Sequence, residues 1–318
     1  MRVTLIHNPG AGKQGKGSAE QMTEALTDAG HEVRYQSSKD DGWKKALKKP
    51  ADLIVVAAGD GTVARVTRRM VGRGVPVALL PSGTANNIAR SLGLVERPFE
   101  ELIRGWESAR RVKLDVGVAA GPWGERYFVE GLGTGLFASL LAKSEGKEKK
   151  KNKNGSKKKK PPKGPGAVDG ALRRLRDLAE HLEPVEVEAR LDGKDISGNY
   201  ILLEAVNLRY IGPNLHLAHD SNPSDGELDV VLVSESERKR LVYYLDHWQD
   251  DRDRLAMLPS QRGRYLELEW AGFPLHIDDK LRPGAGAKRK ERAGHVEARL
   301  DGETVEFLVP TNEKGKAG

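Results

Sequence analysis

The sequence predicts two domains, an α/β N-terminal domain built on a parallel sheet and a C-terminal domain of antiparallel β-sandwich type. A length of 318 residues suits two domains. Up to about residue 111, short apolar runs alternate with helical patterns, which is typical of a parallel sheet covered by helices. Beyond that point, short segments show a period of two, which favours antiparallel strands with one buried face.

In the N-terminal domain, each predicted strand is followed by a turn and then by a predicted helix. The run 52–58 is continuously apolar, as in strands that are buried on both faces of a sheet. Gly30 is placed to end the first helix as its C-terminal cap. The predicted strands are 3–6, 33–36, 52–58 and 75–80, and the predicted helices are 19–29, 43–48, a segment ending near 71 and a segment ending near 92. This order predicts a Rossmann-like sheet.

The C-terminal domain is predicted to span residues 112–304. Its strands are expected at 186–191, 199–206, 228–233 and 265–270, with a helix at 171–182. Residues 305–318 contain one further strand, 305–309, which we expect to return to the N-terminal domain, residues 1–111.

The positive charge of the chain is concentrated in one segment. Residues 143–163 contain eleven lysines and two glutamates, a local balance of +9, so the rest of the chain carries 7 − 9 = −2. Within a predicted insertion at 143–170, this segment is expected to stay disordered. It is either a solvated surface loop or a contact with an anionic membrane surface. Nucleic acid is not expected as a partner, because no aromatic platform or RNA-binding motif accompanies the charge.

The remaining composition excludes several classes of protein. With 0 Cys, the chain has no disulfide, no thiolate nucleophile and no Cys-ligated zinc. No apolar stretch approaches the 18 residues of a membrane-spanning helix, and the apolar run at the N-terminus is too short for a signal peptide. We therefore expect a cytoplasmic protein that can contact the inner face of the membrane peripherally. The sequence is also compatible with a homodimer.

The turn Gly59-Asp60-Gly61-Thr62 combines the features of a phosphate-binding loop. Glycines let backbone amides approach phosphate oxygens, Thr62 adds a hydroxyl, and the following helix presents its positive end. Asp60 would repel a phosphate unless it holds a metal or accepts a proton, which marks it as a functional candidate. An ordinary Asp-Gly turn is the alternative.

Two further loops follow other strands of the same predicted sheet. They are Pro81-Ser82-Gly83-Thr84, with Asn86 and Asn87 beyond it, and Asn8-Pro9-Gly10-Ala11-Gly12-Lys13. In an open parallel sheet, ligands bind outside the carboxyl ends of the strands, where all three loops are expected. The sequence therefore predicts that these loops converge on a polyanion.

Together with Asp225-Gly-Glu-Leu-Asp-Val230 and Asn207-Leu-Arg-Tyr-Ile-Gly212, these motifs resemble the diacylglycerol kinase catalytic-domain family, which includes bacterial lipid kinases and sphingosine kinases. The resemblance implies transfer of the ATP γ-phosphoryl group to a hydroxyl of a membrane lipid, such as diacylglycerol or a sphingoid base. Motifs and resemblance together give the expected nucleotide-binding set, namely Asn8, Ser38, Gly59, Asp60, Gly61, Thr62, Val63, Ala64, Ser82, Gly83, Thr84 and Asn86.

The resemblance also implies Mg²⁺ at two places. One ion would bridge phosphate oxygens near Asp60. The other, a structural ion, would be held by Asp225 and by the backbone carbonyls of Asn222 and Glu227. A simple hairpin turn is the alternative for the second place.

For the catalytic base, the resemblance implies an Asp-Gly-Glu motif upstream of Leu308-Val309-Pro310. Register favours Asp278 or Asp279, whereas literal identity favours Glu303, in a segment 301–303 that has the form of a hairpin turn. Asp60 is the remaining alternative.

Several positions depart from the family pattern, among them Ala64 in place of an asparagine and Asn87 in place of a frequent aspartate. Three more bear on whether the chain is active. Ala58 replaces a glycine, Arg65 replaces a glutamate, and Phe137 replaces an aspartate that is linked to the acceptor site in relatives. These departures keep open a catalytically impaired nucleotide- or lipid-binding member of the family. An NAD kinase-type enzyme is a third hypothesis, because the Gly-Asp-Gly-Thr motif is shared with NAD kinases.

Overall fold

The computed structural model describes residues 1–11, 18–95, 97–153, 165–248, 255, 257–284 and 286–311, with the backbone alone at 145–153 and 165. In chain order its helices and strands are β1 (Arg2–His7), α1 (Ala19–Asp28), β2 (Glu32–Ser37), α2 (Trp43–Ala46), β3 (Leu53–Ala58), α3 (Asp60–Met70), β4 (Val77–Pro81), α4 (Asn87–Ser91), α5 (Phe99–Arg104), β5 (Arg110–Asp115), β6 (Gly117–Gly121), β7 (Gly124–Phe128), β8 (Gly131–Gly135), α6 (Leu136–Lys153), α7 (Pro165–His181), β9 (Val185–Leu191), β10 (Lys194–Asp195), β11 (Gly198–Val206), β12 (Leu228–Ser234), α8 (Arg238–His247), β13 (Ser260–Gly263), β14 (Tyr265–Trp270), β15 (Leu275–Ile277), β16 (Lys280–Arg282), β17 (Gly294–Arg299) and β18 (Thr304–Val309). The chain divides into one compact unit of residues 1–116 and 303–318 and a second of residues 117–302.

The first unit is built on a mostly parallel sheet. Its described strands run in the order β2-β1-β3-β4-β18-β5, and β1 to β4 pair in parallel. The strand β18 pairs in parallel with β4 and antiparallel with β5, so the last strand of the chain completes this sheet. Because β5 pairs with β18 as far as Asp115, the first unit extends beyond residue 111, where the sequence placed its boundary.

Helix α1 shows how local sequence sets an element of this unit. Ser18 and Gln21 form a capping box, in which each side chain accepts a hydrogen bond from the backbone N–H of the other. Met22 and Leu26 lie four residues apart and are buried, so one face of the helix packs toward the core.

The second unit is built on antiparallel strands. Its main path runs β16-β15-β8-β11-β9-β14-β17-β6-β7, with β12 and β13 continuing from β11 and β10 beside β9. One apolar cluster fills the inside of this curved sheet, and a second joins β11 and β12 to α7 and α8. The predicted fold class, α/β followed by an antiparallel β-sandwich-type domain, is confirmed.

The lysine-rich segment differs in part from its expected disorder. The backbone of residues 143–153 continues α6, and α7 begins at Pro165. Lysine and glutamate have good helix propensity, so a helix that starts in the apolar stretch 136–142 extends into the charged stretch. Residues 154–164 lie outside the described residues. Among the described residues, every helix falls short of the length and apolar character needed to cross a bilayer.

Candidate functional site

The three glycine loops of the first unit begin at the carboxyl ends of β1, β3 and β4, which are neighbours in the sheet. The Asn8 N–H donates to the Ala57 carbonyl at 3.0 Å, and the Asn8 side-chain amide lies 3.4 Å from the Thr62 hydroxyl. The first loop therefore contacts the second at the beginning of α3. Gly12 and Lys13, also expected in the first loop, lie outside the described residues.

The second and third loops pack backbone against backbone. A Cβ atom added at Gly83 would lie 2.4 Å from the Cα of Gly59, and one added at Gly59 would lie 2.9 Å from the Cα of Gly83. The Ser82 N–H donates to the Ala58 carbonyl at 3.2 Å. These two glycines are thus required by the contact between the loops, whatever ligand the loops bind.

The Asp60 side chain also connects the second loop to the third, through hydrogen bonds at the beginning of α4. One carboxylate oxygen accepts a hydrogen bond from the Ile88 N–H at 3.1 Å, and the N–H groups of Asn86 and Asn87 also interact with the carboxylate. Burial raises the pKa of the Asp60 carboxyl, whereas these backbone N–H groups act in the opposite direction. The contacts described for the carboxylate lie toward α4, and no second acidic ligand for the Mg²⁺ expected near Asp60 is found among the described residues.

The side chain of Asn86 closes the third loop on itself. Asn86 has a left-handed backbone conformation with φ of 55°. Its amide oxygen accepts a hydrogen bond from the Gly83 N–H at 2.8 Å, and its amide nitrogen donates to the Gly83 carbonyl at 3.1 Å. The Asn86 side chain therefore shapes the loop, and its expected contact with a nucleotide stays a prediction.

The other predicted nucleotide-binding residues divide between the core and the edge of the sheet. Val63 and Ala64 are buried with the core face of α3, and Thr84 is exposed. The hydroxyls of Ser38 and Ser82 are buried, with 5% and 3% of each residue exposed, and have no hydrogen-bond partner among the described residues. Such buried polar atoms are rare in native structures and are typical of places where a ligand or water binds.

Two cations near these loops were absent from the predicted set. The Arg65 guanidinium donates to the Gly61 carbonyl at 3.1 Å and to the Thr62 hydroxyl at 2.9 Å. The Lys39 amine lies so close to Gly10 that a Cβ atom there would approach it to 2.6 Å. The sequence signal for Arg65 was its departure from the family pattern, whereas Lys39 gave no signal beyond its position after a strand.

The proposed structural Mg²⁺ site does not fit the side chains present. The Arg262 guanidinium pairs with the carboxylate of Asp225 and lies 3.6 Å from that of Glu227 and 3.3 Å from that of Asp229. The Asn222 carbonyl accepts a hydrogen bond from the Asp225 N–H at 3.4 Å. The Asp225 carboxylate, which is the one side-chain ligand that the resemblance assigns to the ion, is thus paired with an arginine. In the part of the chain that the structure describes, no group of three His, Cys, Asp or Glu residues is arranged to hold a metal.

The hairpin alternative for that turn is also incorrect. Strands β11 and β12 are antiparallel neighbours, but residues 207–227 connect them, which is far longer than a hairpin turn. Asp229 lies in β12, just after this connection. Burial raises the pKa of its carboxyl, and the Arg262 cation acts against that rise.

The candidate base residues lie in different surroundings. Asp278 is buried, with φ of 47°, and its carboxylate accepts hydrogen bonds from the N–H groups of Val129 at 3.0 Å and Glu130 at 2.9 Å. Asp279 is exposed at the turn between β15 and β16, and its carboxylate pairs with Lys280 at 2.8 Å. The Asp278 carboxylate therefore fixes the turn between β15 and β16 to the backbone of residues 129–130. The Asp279 carboxylate lies at the surface.

The segment around Glu303 is not the hairpin that the sequence indicated. The strand before it, β17, pairs with β14 and β6, whereas the strand after it, β18, pairs with β4 and β5. Residues 301–303 therefore connect two different sheets. The backbone carbonyl of Glu303 accepts a hydrogen bond from the Val116 N–H at 2.8 Å.

A buried ionisable pair in the second unit was not predicted. The imidazole of His276 lies 3.0 Å from the Glu204 carboxylate, and both residues are buried. Burial raises the pKa of Glu204; for His276, burial acts downward, but the Glu204 carboxylate raises the pKa overall. The ring of Phe137 lies 6.2 Å from that of His276. The available signal was a glutamate inside the apolar run of β11.

Comparison with known proteins agrees with the resemblance to the diacylglycerol kinase catalytic-domain family. Residues 2–119 match the model of the diacylglycerol kinase catalytic domain, and residues 156–279 match that of the YegS C-terminal NAD kinase beta sandwich-like domain. The chain is 26% identical over 248 residues to a diacylglycerol kinase of Bacillus subtilis, an alignment that covers 74% of each chain. It is 25% identical over 242 residues to a diacylglycerol kinase of Mycobacterium tuberculosis, covering 73% of this chain and 72% of the relative.

A solved structure supports the fold over the whole chain. The crystal structure of a diacylglycerol kinase from Bacillus anthracis superposes with a TM-score of 0.66 at 19% identity, covering 98% of each chain. The matched domains confirm the family to which the sequence motifs pointed, and the names of the relatives support a lipid kinase.

Proposed function

We propose that this chain, which belongs to the diacylglycerol kinase catalytic-domain family through residues 2–119 and carries a YegS-type C-terminal domain at 156–279, phosphorylates a hydroxyl group of a membrane lipid with ATP. The acceptor class is a diacylglycerol or a sphingoid base. The observation that carries the proposal is the convergence of three amide-rich loops at the carboxyl edge of the parallel sheet, in a domain of this family.

The chemistry of phosphoryl transfer suits such a site. The protein must position the phosphates and neutralise the charge that develops on them, and it forms few covalent bonds of its own. Backbone N–H groups, the beginning of α3 and the cations nearby can supply this neutralisation. Mg²⁺ enters with the nucleotide as the substrate MgATP, because Asp60 is turned away toward α4.

We assign the base role to Asp279, with Asp278 as the residue that positions its turn. Asp279 has an exposed carboxylate that a lipid hydroxyl can reach, whereas the Asp278 carboxylate is engaged by backbone N–H groups. The variant Asp279→Asn should lower kcat while leaving the KM for ATP unchanged. The variant Asp278→Asn should lower the free energy of unfolding instead.

A direct assay tests the proposed activity. The full chain is incubated with Mg²⁺, ATP labelled on its γ-phosphate, and anionic vesicles that contain diacylglycerol or a sphingoid base. We expect labelled phospholipid, and an activity about 100-fold lower in Asp60→Asn, since displaced loops misplace the reacting groups. Asp60→Asn should fold normally, because removing a buried charge offsets the loss of hydrogen bonding.

The matched control is Asp41→Asn, the same chemical change at an exposed residue of the first unit. It should retain wild-type activity. If the wild-type chain labels no lipid hydroxyl, the proposed function is incorrect.

A second candidate is a nucleotide- or lipid-binding member of the family without transferase activity. The observation that favours it is Phe137, which packs beside His276 where the resemblance has an acceptor-site aspartate. Binding of ATP without turnover on any hydroxyl acceptor would identify this function. Competition between NAD and lipid in the same assay would identify an NAD kinase-type activity.

We also propose that the lysine-rich segment binds the anionic inner face of the membrane. Each lysine near such a surface contributes about 1 kcal/mol, and residues 143–163 carry eleven. Co-sedimentation of the full chain with anionic vesicles should be lost when the lysines at 157–160 are replaced by glutamine. Equal binding of both proteins would contradict the proposal.

A further inference from the structure

We propose that Arg65 binds the phosphate groups of the nucleotide. At this position the family pattern has a glutamate. The proposal rests on the proposed function, since it concerns the same nucleotide site, and it adds one residue and one charge to that site. Its basis is the position of the guanidinium and, among the described residues, the absence of an acidic partner and two buried hydroxyls without a hydrogen-bond partner.

The position of the guanidinium is set by its contacts with the first turn of α3. Side chains on a helix lean toward its N-terminus, so Arg65 extends back over the turn before it. Its Nε donates to the Gly61 carbonyl at 3.1 Å, and its Nη2 donates to the Thr62 hydroxyl at 2.9 Å. The guanidinium carbon also lies 5.4 Å from the centre of the Trp43 ring. These contacts hold the cation at the phosphate-type loop.

The Thr62 hydroxyl connects this cation to the first glycine loop. It accepts from Arg65 and lies 3.4 Å from the side-chain nitrogen of Asn8. A hydroxyl that accepts from two nitrogens retains its own hydrogen to donate. Arg65 and Asn8 thus leave Thr62 oriented as a donor, and a phosphate oxygen is a strong acceptor for it.

The charge of Arg65 faces no acid in the part of the chain that the structure describes. Within the described residues, Arg65 forms no ion pair with a carboxylate, and neither does Lys39. Asp60, the acid nearest in sequence, is engaged by the backbone N–H of Ile88. A partly buried cation without an anion is unfavourable, and binding of an anion removes this cost.

Two buried hydroxyls lie at the same edge of the sheet. Ser38 follows β2 and Ser82 follows β4, and the side-chain oxygen of each has no hydrogen-bond partner among the described residues. They are 5% and 3% exposed. Because β2 and β4 are three strands apart, one phosphate chain can satisfy only one of these hydroxyls while it pairs with a planar guanidinium. The phosphate chain of a nucleoside triphosphate has this chemistry.

The test measures nucleotide affinity as a function of the number of phosphates. Binding of ATP, ADP, AMP and adenosine to the full chain is measured by calorimetry for the wild type and for Arg65→Gln. A charge-assisted hydrogen bond of the usual strength predicts that ATP binds about 10- to 100-fold more weakly to the variant. The affinity for adenosine should not change.

Arg69→Gln is the matched control, because it removes the same charge from the same helix. The Arg69 guanidinium lies over the same Trp43 ring at 4.8 Å, but its Nη1 donates to the Arg65 carbonyl, one turn farther from the loop. We expect its ATP affinity to stay within about threefold of wild type. Arg65→Glu restores the residue of the family pattern and should weaken ATP binding more than Arg65→Gln does.

The outcomes separate the proposed role of Arg65 from the proposed lipid kinase function. If Arg65→Gln and Arg65→Glu lower the melting temperature but preserve the ratio of ATP to adenosine affinity, Arg65 is structural and the inference is overturned. The inference is also overturned if Arg69→Gln weakens ATP binding equally. If the wild type labels no lipid but loses ATP affinity on the Arg65 substitutions, the lipid kinase proposal fails and the role of Arg65 stands.

Discussion

The substitution Gly83→Ala tests the contact on which the candidate site depends. The added Cβ would lie 2.4 Å from the Cα of Gly59 and 2.7 Å from the Asn86 side-chain oxygen. Ordinary carbon contacts begin near 3.4 Å, so the two loops must separate by about 1 Å. Gly83 does not have a positive φ, so backbone strain of alanine does not contribute to the effect.

The expected cost follows from the size of this overlap. Forcing an extra carbon into a tightly packed position costs about 1–3 kcal/mol. For a unit of this size, that range corresponds to a decrease of about 3–10 °C in melting temperature. Because both loops belong to the nucleotide site that we propose, we also expect weaker ATP binding, by about tenfold or more.

Thermal unfolding and calorimetric titration with ATP measure the two effects on the same protein. The control is Gly42→Ala in the same unit, where the added Cβ would meet its nearest neighbour, the Gln36 side-chain oxygen, at 3.7 Å. This variant should unfold and bind ATP as the wild type does. If Gly83→Ala also matched the wild type in both measurements, the close packing of the loops would be refuted, and with it the convergence of the site.

Two further predictions concern the second unit. Because Arg262 already pairs with Asp225, removal of divalent cations with EDTA should leave the melting temperature of the wild type unchanged, and a fall of several degrees would contradict the pairing. Arg262→Gln should lower the free energy of unfolding by about 1–2 kcal/mol. This value is reduced for solvent screening, because the Arg262 side chain is 42% exposed. Added Mg²⁺ should restore part of the lost stability. The hydrogen bond that the His295 imidazole donates to the Glu269 carboxylate raises the pKa of His295 above its usual 6.5. A raised histidine pKa stabilises the fold fully below pH 6.5, and this contribution is lost as the pH rises through the raised value. Urea unfolding of the wild type and His295→Gln should therefore show a stability difference that shrinks with rising pH; a difference that grows would contradict this sign.

The sequence predicted the sheet and its loops because their determinants are local. Continuous apolar runs such as 53–58 identify strands that are buried on both faces, and each glycine loop follows one of them directly. Parallel pairing then requires that the loops share one edge of the sheet. The family motifs carried the same information, and the matched domains agree with them.

Side-chain partners that are distant in sequence could not be predicted in this way. The positions of Asp60 and Asp278 suggested chemistry, but the structure shows each carboxylate engaged by backbone N–H groups of another loop. Arg262 lies 37 residues after Asp225, and no spacing rule connects a guanidinium to a turn that far away. Glu204 and His276 are 72 residues apart and meet because β8 lies between their strands.

By itself, the order of apolar runs, glycines and family motifs determined the fold class and the edge of the sheet at which the three glycine loops meet, where we propose that phosphates bind. Only the tertiary structure decided how the charged side chains of each unit are paired. Asp60 faces amides, Arg262 faces three carboxylates, and Arg65 faces no acid among the described residues. The physical reason is that burial and pairing set the cost of a charge, and both depend on neighbours that folding brings together.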